Sequence, residues 1–170
     1  DMHSHAEGAL LTGPALEPAV RQGVTTVAIA QDGFSFAPVS PGNRQALRWQ
    51  LSSIADSGQI PWDWSSPAEF LARLDGRTGV NVVYLAPLGN LYVDAVGWGL
   101  RSPAAGDLAR MKELAAQAME EGAFGLSSGL VYAPCCFANT SELVGIASGI
   151  APYGGIYASH IRNEGDRLVE

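Results

Sequence analysis

Apolar and polar positions alternate along the chain between two kinds of pattern. Short, nearly continuous apolar runs, as in Val24-Thr25-Thr26-Val27-Ala28-Ile29-Ala30 and Val80-Asn81-Val82-Val83-Tyr84-Leu85-Ala86, predict strands buried on both faces. Between them lie stretches with apolar residues at helical spacing. The clearest is Asp107–Glu121, where Leu108, Met111, Ala115 and Ala118 share a face and Gly122 stands at the C-cap position. Ala15–Gln22 carries a short helical pattern closed by Gly23, after a Gly/Pro-punctuated stretch from Gly8 to Pro14. Phe34 to Trp64 reads as irregular, although Arg44–Ala55 could hold a helix. Ser66-Pro67-Ala68-Glu69 combines an N-cap Ser, Pro at the first helical position and a capping-box Glu, and so predicts a helix start. Pro87-Leu88-Gly89-Asn90 predicts a break, with a loop to Pro103. A strand is expected from Phe124 to about Tyr132, and a helix capped by Asn139 and Glu142. The last strand is Ile156–His160.

Strands that alternate with helices imply a parallel sheet joined by βαβ crossovers. A doubly wound sheet and a (β/α)8 barrel both satisfy the alternation, and both place chemistry at the carboxyl ends of strands. His3/His5, Asp32, Asn90, Tyr132 and His160 all fall at such ends, and five ends aimed at one place favour the barrel. A full barrel needs roughly 250 residues. This chain of 170 residues would then be one partial barrel domain, 1–170, holding about the first five strands, and its start at Asp1 and end at Glu170 suggest a fragment.

Composition narrows the function classes. Apolar residues make up 47% and charged residues 16%, which excludes disorder. The net charge of −7 disfavours nucleic acid as a partner. No apolar run reaches the 18 or more residues of a membrane span, and no signal peptide is visible. Two adjacent cysteines, Cys135 and Cys136, make a poor structural disulfide and suit a reducing, cytoplasmic location. They lack C-x-x-C spacing and are not read as ligands. Dinucleotide, Walker and nucleophile-elbow motifs are absent.

In a strand, alternate side chains share a face, so His3 and His5 point the same way. Two neutral imidazoles converging on one spot are what a zinc ion takes. Asp32, at the end of a buried strand, could be a turn residue or a carboxylate reaching or bridging metal. His160 ends another strand. Three imidazoles and a carboxylate are a zinc inventory, and the chain's only three histidines all fall at expected strand ends. Tyr132 could be a rim aromatic or a hydrogen-bond donor to a substrate carboxylate. Arg162 and Glu164 could simply pair with each other.

Four stretches, in order, carry a family likeness: Asp-Met-His-Ser-His; Gly-Val-Thr-Thr-Val with Gln-Asp-Gly-Phe-Ser-Phe-Ala-Pro; Met-Glu-Glu-Gly-Ala-Phe-Gly-Leu-Ser-Ser-Gly-Leu-Val-Tyr; and Tyr-Ala-Ser-His-Ile-Arg-Asn-Glu-Gly-Asp. Together they resemble the D-aminoacylase (N-acyl-D-amino-acid deacylase) branch of the amidohydrolases. The resemblance implies a zinc-dependent hydrolase of N-acyl-D-amino acids on a (β/α)8 barrel, with one or two Zn2+ ions. It implies that His3 and His5 bind the first metal, that His160 binds the second, and that Asp32 stands where the family often has a bridging cysteine. Tyr132 matches a tyrosine that meets the substrate carboxylate. Leu88 stands where a histidine is usual. The family's catalytic aspartate would lie beyond Glu170, so no catalytic residue is assigned in this stretch, and the fragment alone is expected to be inactive. Two other readings remain open. One is an amidohydrolase acting on cyclic amides, of the dihydroorotase or hydantoinase type, although the only lysine, Lys112, sits mid-helix. The other is a non-catalytic metal-binding module.

Overall fold

A computed structural model of the chain describes residues 1–52, 60–99 and 101–169. Four strands, β1 (Thr26–Ile29), β2 (Asn81–Pro87), β3 (Gly125–Gly129) and β4 (Ile156–His160), form one sheet in the order β1-β2-β3-β4, with every pair parallel. A doubly wound sheet reverses its strand order at a switch point. This sheet runs in sequence order, as a barrel does. It also curls. In a flat sheet the first and fourth strands would lie about 14 Å apart, three spacings of ~4.8 Å. Here the Ser127 hydroxyl of β3 donates to the carbonyl of Ala30, just past β1, and His160 of β4 reaches Asp32. The fold is an arc of a (β/α)8 barrel.

Most helices form where their caps and apolar spacing place them. Ser66 and Glu69 make the full capping box of α4 (Pro67–Leu71), and Asn139 and Glu142 that of α7 (Thr140–Ala147). At the start of α6 (Ala105–Glu120) Ala104 has no acceptor side chain. Only the reciprocal half of the box forms, from the Ala104 N–H to Asp107 Oδ2 at 2.8 Å. α3 (Arg44–Leu51) forms where a helix over Arg44–Ala55 was expected, and that expectation extends into 53–59, outside the described residues. The helical pattern at Ala15–Gln22 yields only α2 (Glu17–Val20).

Two expectations need correction. His3 and His5 do not lie on a regular strand. Ala28 N–H donates to Asp1 O, while Ala28 O accepts from Ser4 N–H, one residue further along than a parallel ladder allows, so the segment is extended but bulged beside β1. The Gly/Pro-punctuated stretch from Gly8 to Pro14 is largely helical, α1 (Glu7–Thr12). The loop expected after Pro87 is a nine-residue helix, α5 (Leu88–Val96), that begins directly at the end of β2. Gly89 is there for space: a Cβ on it would sit 2.5 Å from Gly33 O and 2.8 Å from the Phe34 ring. Asn90 turns its amide onto the neighbouring loop instead of ending the helix.

The irregular stretch before α4 is held by rings rather than by a ladder. Phe36, Trp62, Trp64, Phe70 and Tyr84 are all buried, with ring centroids 4.6–6.3 Å apart, and Trp64 Nε1 donates to Phe36 O at 2.8 Å. This packing fixes one side of the loop that leaves β1.

Candidate metal centre

The turn after β1 does not follow the strand's extended course. Ala30 (φ 65°), Asp32 (φ 58°) and Gly33 (φ 76°) all occupy the left-handed region. Asp tolerates it better than most side chains, Ala poorly. The result aims the Asp32 carboxyl inward over the strand ends instead of outward to solvent.

Three imidazoles meet that carboxyl. His3 Nε2 lies 3.4 Å and His5 Nε2 3.3 Å from Asp32 Oδ2, and His160 Nδ1 lies 3.4 Å from Asp32 Oδ1. The His3 and His5 rings stand edge to face, 5.4 Å between centroids, so the shared face expected from their parity holds despite the bulge. Ligand atoms of His3, His5 and Asp32 all fall within 4.8 Å of one another. Of the four residues singled out as metal ligands, these three form one close group, and His160 joins it only through the other oxygen of Asp32.

The separations fit a metal better than a hydrogen-bonded cluster. Charge-assisted N–H···O bonds close to about 2.7–2.9 Å. Two ligands held 2.0–2.1 Å from one tetrahedral ion stand about 3.3–3.4 Å apart. Asp32 Oδ1 is shielded from solvent and has no hydrogen bond among the described residues, a poor state for a carboxylate oxygen unless a cation satisfies it. The donor set of imidazoles and one carboxylate suits zinc.

The rim around the cluster is mixed. Tyr132, 43% exposed, packs its ring edge to face on His160 at 5.1 Å. Arg162 and Glu164 do not pair with each other. Arg162 donates to the carbonyls of Ala138 and Cys136, and Glu164 Oε1 lies 3.0 Å from His160 Nε2. That contact leaves Nδ1 as the ring nitrogen facing Asp32. Leu88 is wholly buried at the head of α5 and offers no ligand. Asn90, expected at the rim, instead bonds Ser35 through both its amide N and O. Burial pushes the Cys135 thiol up to about 12, which keeps it an unreactive core residue.

Two polar residues close to the centre escape the reading of strand ends. Glu7 is 1% exposed, and burial pushes its carboxyl above the ordinary range. No periodic signal marks it, because the extended course that pairs 3 with 5 ends at Ala6 and Glu7 opens α1. Ser127 is wholly buried and donates to Ala30 O, and no signal marks it apart from a polar residue inside an apolar run.

A curled parallel sheet with imidazoles and a carboxylate gathered beyond the carboxyl ends of its strands defines the class of the metal-dependent amidohydrolase barrel. Within that class the chain is similar to D-aminoacylases. It is 31% identical to the D-aminoacylase and 35% identical to the N-acyl-D-glutamate deacylase of Alcaligenes xylosoxydans xylosoxydans, in each case over 99% of this chain and about a third of the relative, 34% and 33%. Among solved structures, a D-aminoacylase described as defining a novel subset of amidohydrolases superposes with a TM-score of 0.83 at 28% identity, covering 99% of this chain and 35% of that one. An N-acyl-D-glutamate deacylase from Bordetella bronchiseptica, complexed with zinc and a phosphonate mimic of the tetrahedral intermediate, superposes with a TM-score of 0.81 at 32% identity, covering 96% and 34%. No protein-family model matches the chain. The D-aminoacylase likeness read from the motifs is borne out along nearly the whole chain, which spans about a third of the length of these relatives.

Proposed function

We propose that residues 1–170 form part of the barrel domain of a zinc-dependent N-acyl-D-amino-acid deacylase and supply its metal site. The observation that carries this reading is the convergence of His3, His5 and His160 on the Asp32 carboxyl, one oxygen of which is buried and unbonded. His3 and His5 would hold one ion, His160 a second, and Asp32 would bridge them. A bound zinc supplies a Lewis acid for the scissile carbonyl and lowers the pKa of its water towards about 7. Tyr132 stands beside His160, where its hydroxyl can donate to the substrate carboxylate and orient the amide. Glu164 holds the far nitrogen of His160. None of these residues is assigned the proton-transfer role.

The relatives support the metal and the substrate class. The Bordetella enzyme is complexed with zinc, and another solved D-aminoacylase is described as having a binuclear metal centre with one-metal activation and second-metal attenuation. The relatives' names cover D-aminoacylase, N-acyl-D-glutamate deacylase and N-acyl-D-aspartate deacylase. The cyclic-amide reading is disfavoured because Lys112 lies exposed on α6, placed to bridge nothing. Leu88 is what favours a non-catalytic metal module, since it removes a ligand at the end of β2. No helix among the described residues is long and apolar enough to cross a membrane, and the two free thiols suit a cytoplasmic setting.

The test is hydrolysis of N-acetyl-D-amino acids by the full-length gene product, with and without zinc. Release of the free D-amino acid that zinc restores after chelation supports the reading. Metal binding without hydrolysis of any N-acyl-D-amino acid would favour the non-catalytic module.

A further inference from the structure

Glu7 is the first residue of α1 and follows His5 by two positions. A glutamate in the first turn of a short helix ordinarily faces water. This one is buried, which costs free energy unless the carboxyl is bonded, and only one of its oxygens is: Oε2 has no hydrogen bond among the described residues. Its Oε1 accepts two hydrogen bonds, from Ala30 N–H and from the Ser35 hydroxyl, each 2.9 Å. Those two residues bracket the Asp32 turn. Ala30 and Asp32 carry the non-glycine left-handed conformations described above, which persist only where the surroundings over-determine them.

Other contacts hold the same loop from the opposite side. Ser127 donates to Ala30 O, and the Asn90 amide bonds both the N–H and the carbonyl of Ser35. These contacts come from β3 and α5, however. Glu7 alone among these partners rides on the segment that bears His3 and His5. Two side chains therefore tie the halves of the cluster together, the His-x-His segment and the Asp32 turn: Glu7 from the segment, and Gln31 from the turn, whose Nε2 donates to Met2 O at 2.9 Å. A carboxyl kept only for core stability would have no reason to bond the two ends of the turn that carries the bridging group.

We propose that Glu7 is a positioning residue, which sets the Asp32 carboxyl at ligand distance from His3 and His5 through the hydrogen bonds of its Oε1 to Ala30 and Ser35. This rests on the reading of Asp32 as a metal ligand. Its role is as an acceptor, so Gln, which keeps one acceptor oxygen, preserves it and Ala abolishes it.

The experiment is zinc titration and the cobalt(II) visible spectrum of the full-length gene product as wild type, Glu7→Gln, Glu7→Ala, Ser35→Ala and Asp32→Ala. Supporting contacts of metal ligands are typically worth 10–100-fold in affinity. Glu7→Ala is expected to weaken zinc binding by about that factor and to shift the cobalt bands, a change that lost stability alone would not produce. Glu7→Gln should stay within about threefold of wild type with its spectrum unchanged, and Ser35→Ala should weaken binding by about three- to tenfold. If Glu7→Ala does not fold, Ser35→Ala and Glu7→Gln decide. Zinc binding that Asp32→Ala weakens but Glu7→Ala and Ser35→Ala leave unchanged overturns this proposal alone, as does a Glu7→Gln loss as large as that of Glu7→Ala. No binding by wild type, or none that depends on Asp32, overturns this proposal together with the metal-site reading.

Discussion

Gly129, at the end of β3, packs directly beneath the backbone of Asp32: a Cβ at Gly129 would overlap the Asp32 carbonyl oxygen and come within 2.6 Å of the Tyr132 ring. The contact is reciprocal, since a Cβ on Gly33 would meet Gly129 N at 3.0 Å. The exposed Tyr132 ring can swing away, but the clash with the Asp32 carbonyl is with backbone and would remain. Gly129→Ala is therefore expected to destabilise the chain by about 1–3 kcal/mol and to displace the Asp32 turn. Denaturant melts measure the first effect and zinc titration the second. A variant with wild-type stability and zinc affinity would show that the turn is not seated on β3.

Phe70 sits at the centre of the aromatic cluster, wholly buried against Phe36, Trp64 and Tyr84. Phe70→Ala should remove about 3–5 kcal/mol, from lost burial and the cavity left behind. Urea unfolding of the variant would show a midpoint shift without a change in slope if the loss is one of packing alone.

Two helix starts make stability fall on the acid side. Hydrogen bonds from the Ser65 and Ser66 N–H groups hold the Glu69 carboxyl below its ordinary value, and Arg101 together with the Ala104 N–H does the same for Asp107. A carboxyl whose folded pKa lies below its unfolded value adds stability that is fully present above the unfolded pKa. That stability disappears as pH falls through the folded pKa. The unfolded values are near 4.5 and 3.8, so the loss should appear below about pH 4.5. Glu69→Gln with Asp107→Asn should flatten this limb in thermal melts across pH 2 to 6, and an unchanged slope would contradict the assignment.

What the apolar pattern made visible, and what it hid, follows from range. Asp32 and His160 could be read because each closes a run whose character is local, and His3 because of its spacing from His5. Sheet curvature then brought them together without any further signal. α5 was hidden because Gly89 and Asn90 look like breakers. Their true reasons, the close approach of Gly33 and the amide bonds to Ser35, involve residues more than fifty positions away. The aromatic cluster was hidden because Phe36, Trp62 and Trp64 follow no period; they pack as a group and not as one face of an element. The bulge at His3 is a pairing detail with β1, and no single stretch encodes it.

Tyr132 offers a test of substrate orientation separate from the metal. A hydrogen bond to a charged group is worth about 1.5–3 kcal/mol, so Tyr132→Phe in the full-length gene product should raise KM for an N-acyl-D-amino acid by roughly 10–100-fold. Zinc affinity should stay at the wild-type value. A wild-type KM would remove Tyr132 from the substrate site.

The central claim is that Asp32 joins the three imidazoles into one metal site, and zinc calorimetry on wild type, Asp32→Asn and Glu164→Gln tests it most directly. Among the described residues Asp32 supplies the only carboxylate within 3.4 Å of all three histidines, whereas Glu164 is 69% exposed and lies against the far nitrogen of His160. Asp32→Asn is expected to lose about 100-fold or more in affinity, and Glu164→Gln clearly less. Equal zinc binding by all three proteins, or a loss confined to Glu164→Gln, would contradict it.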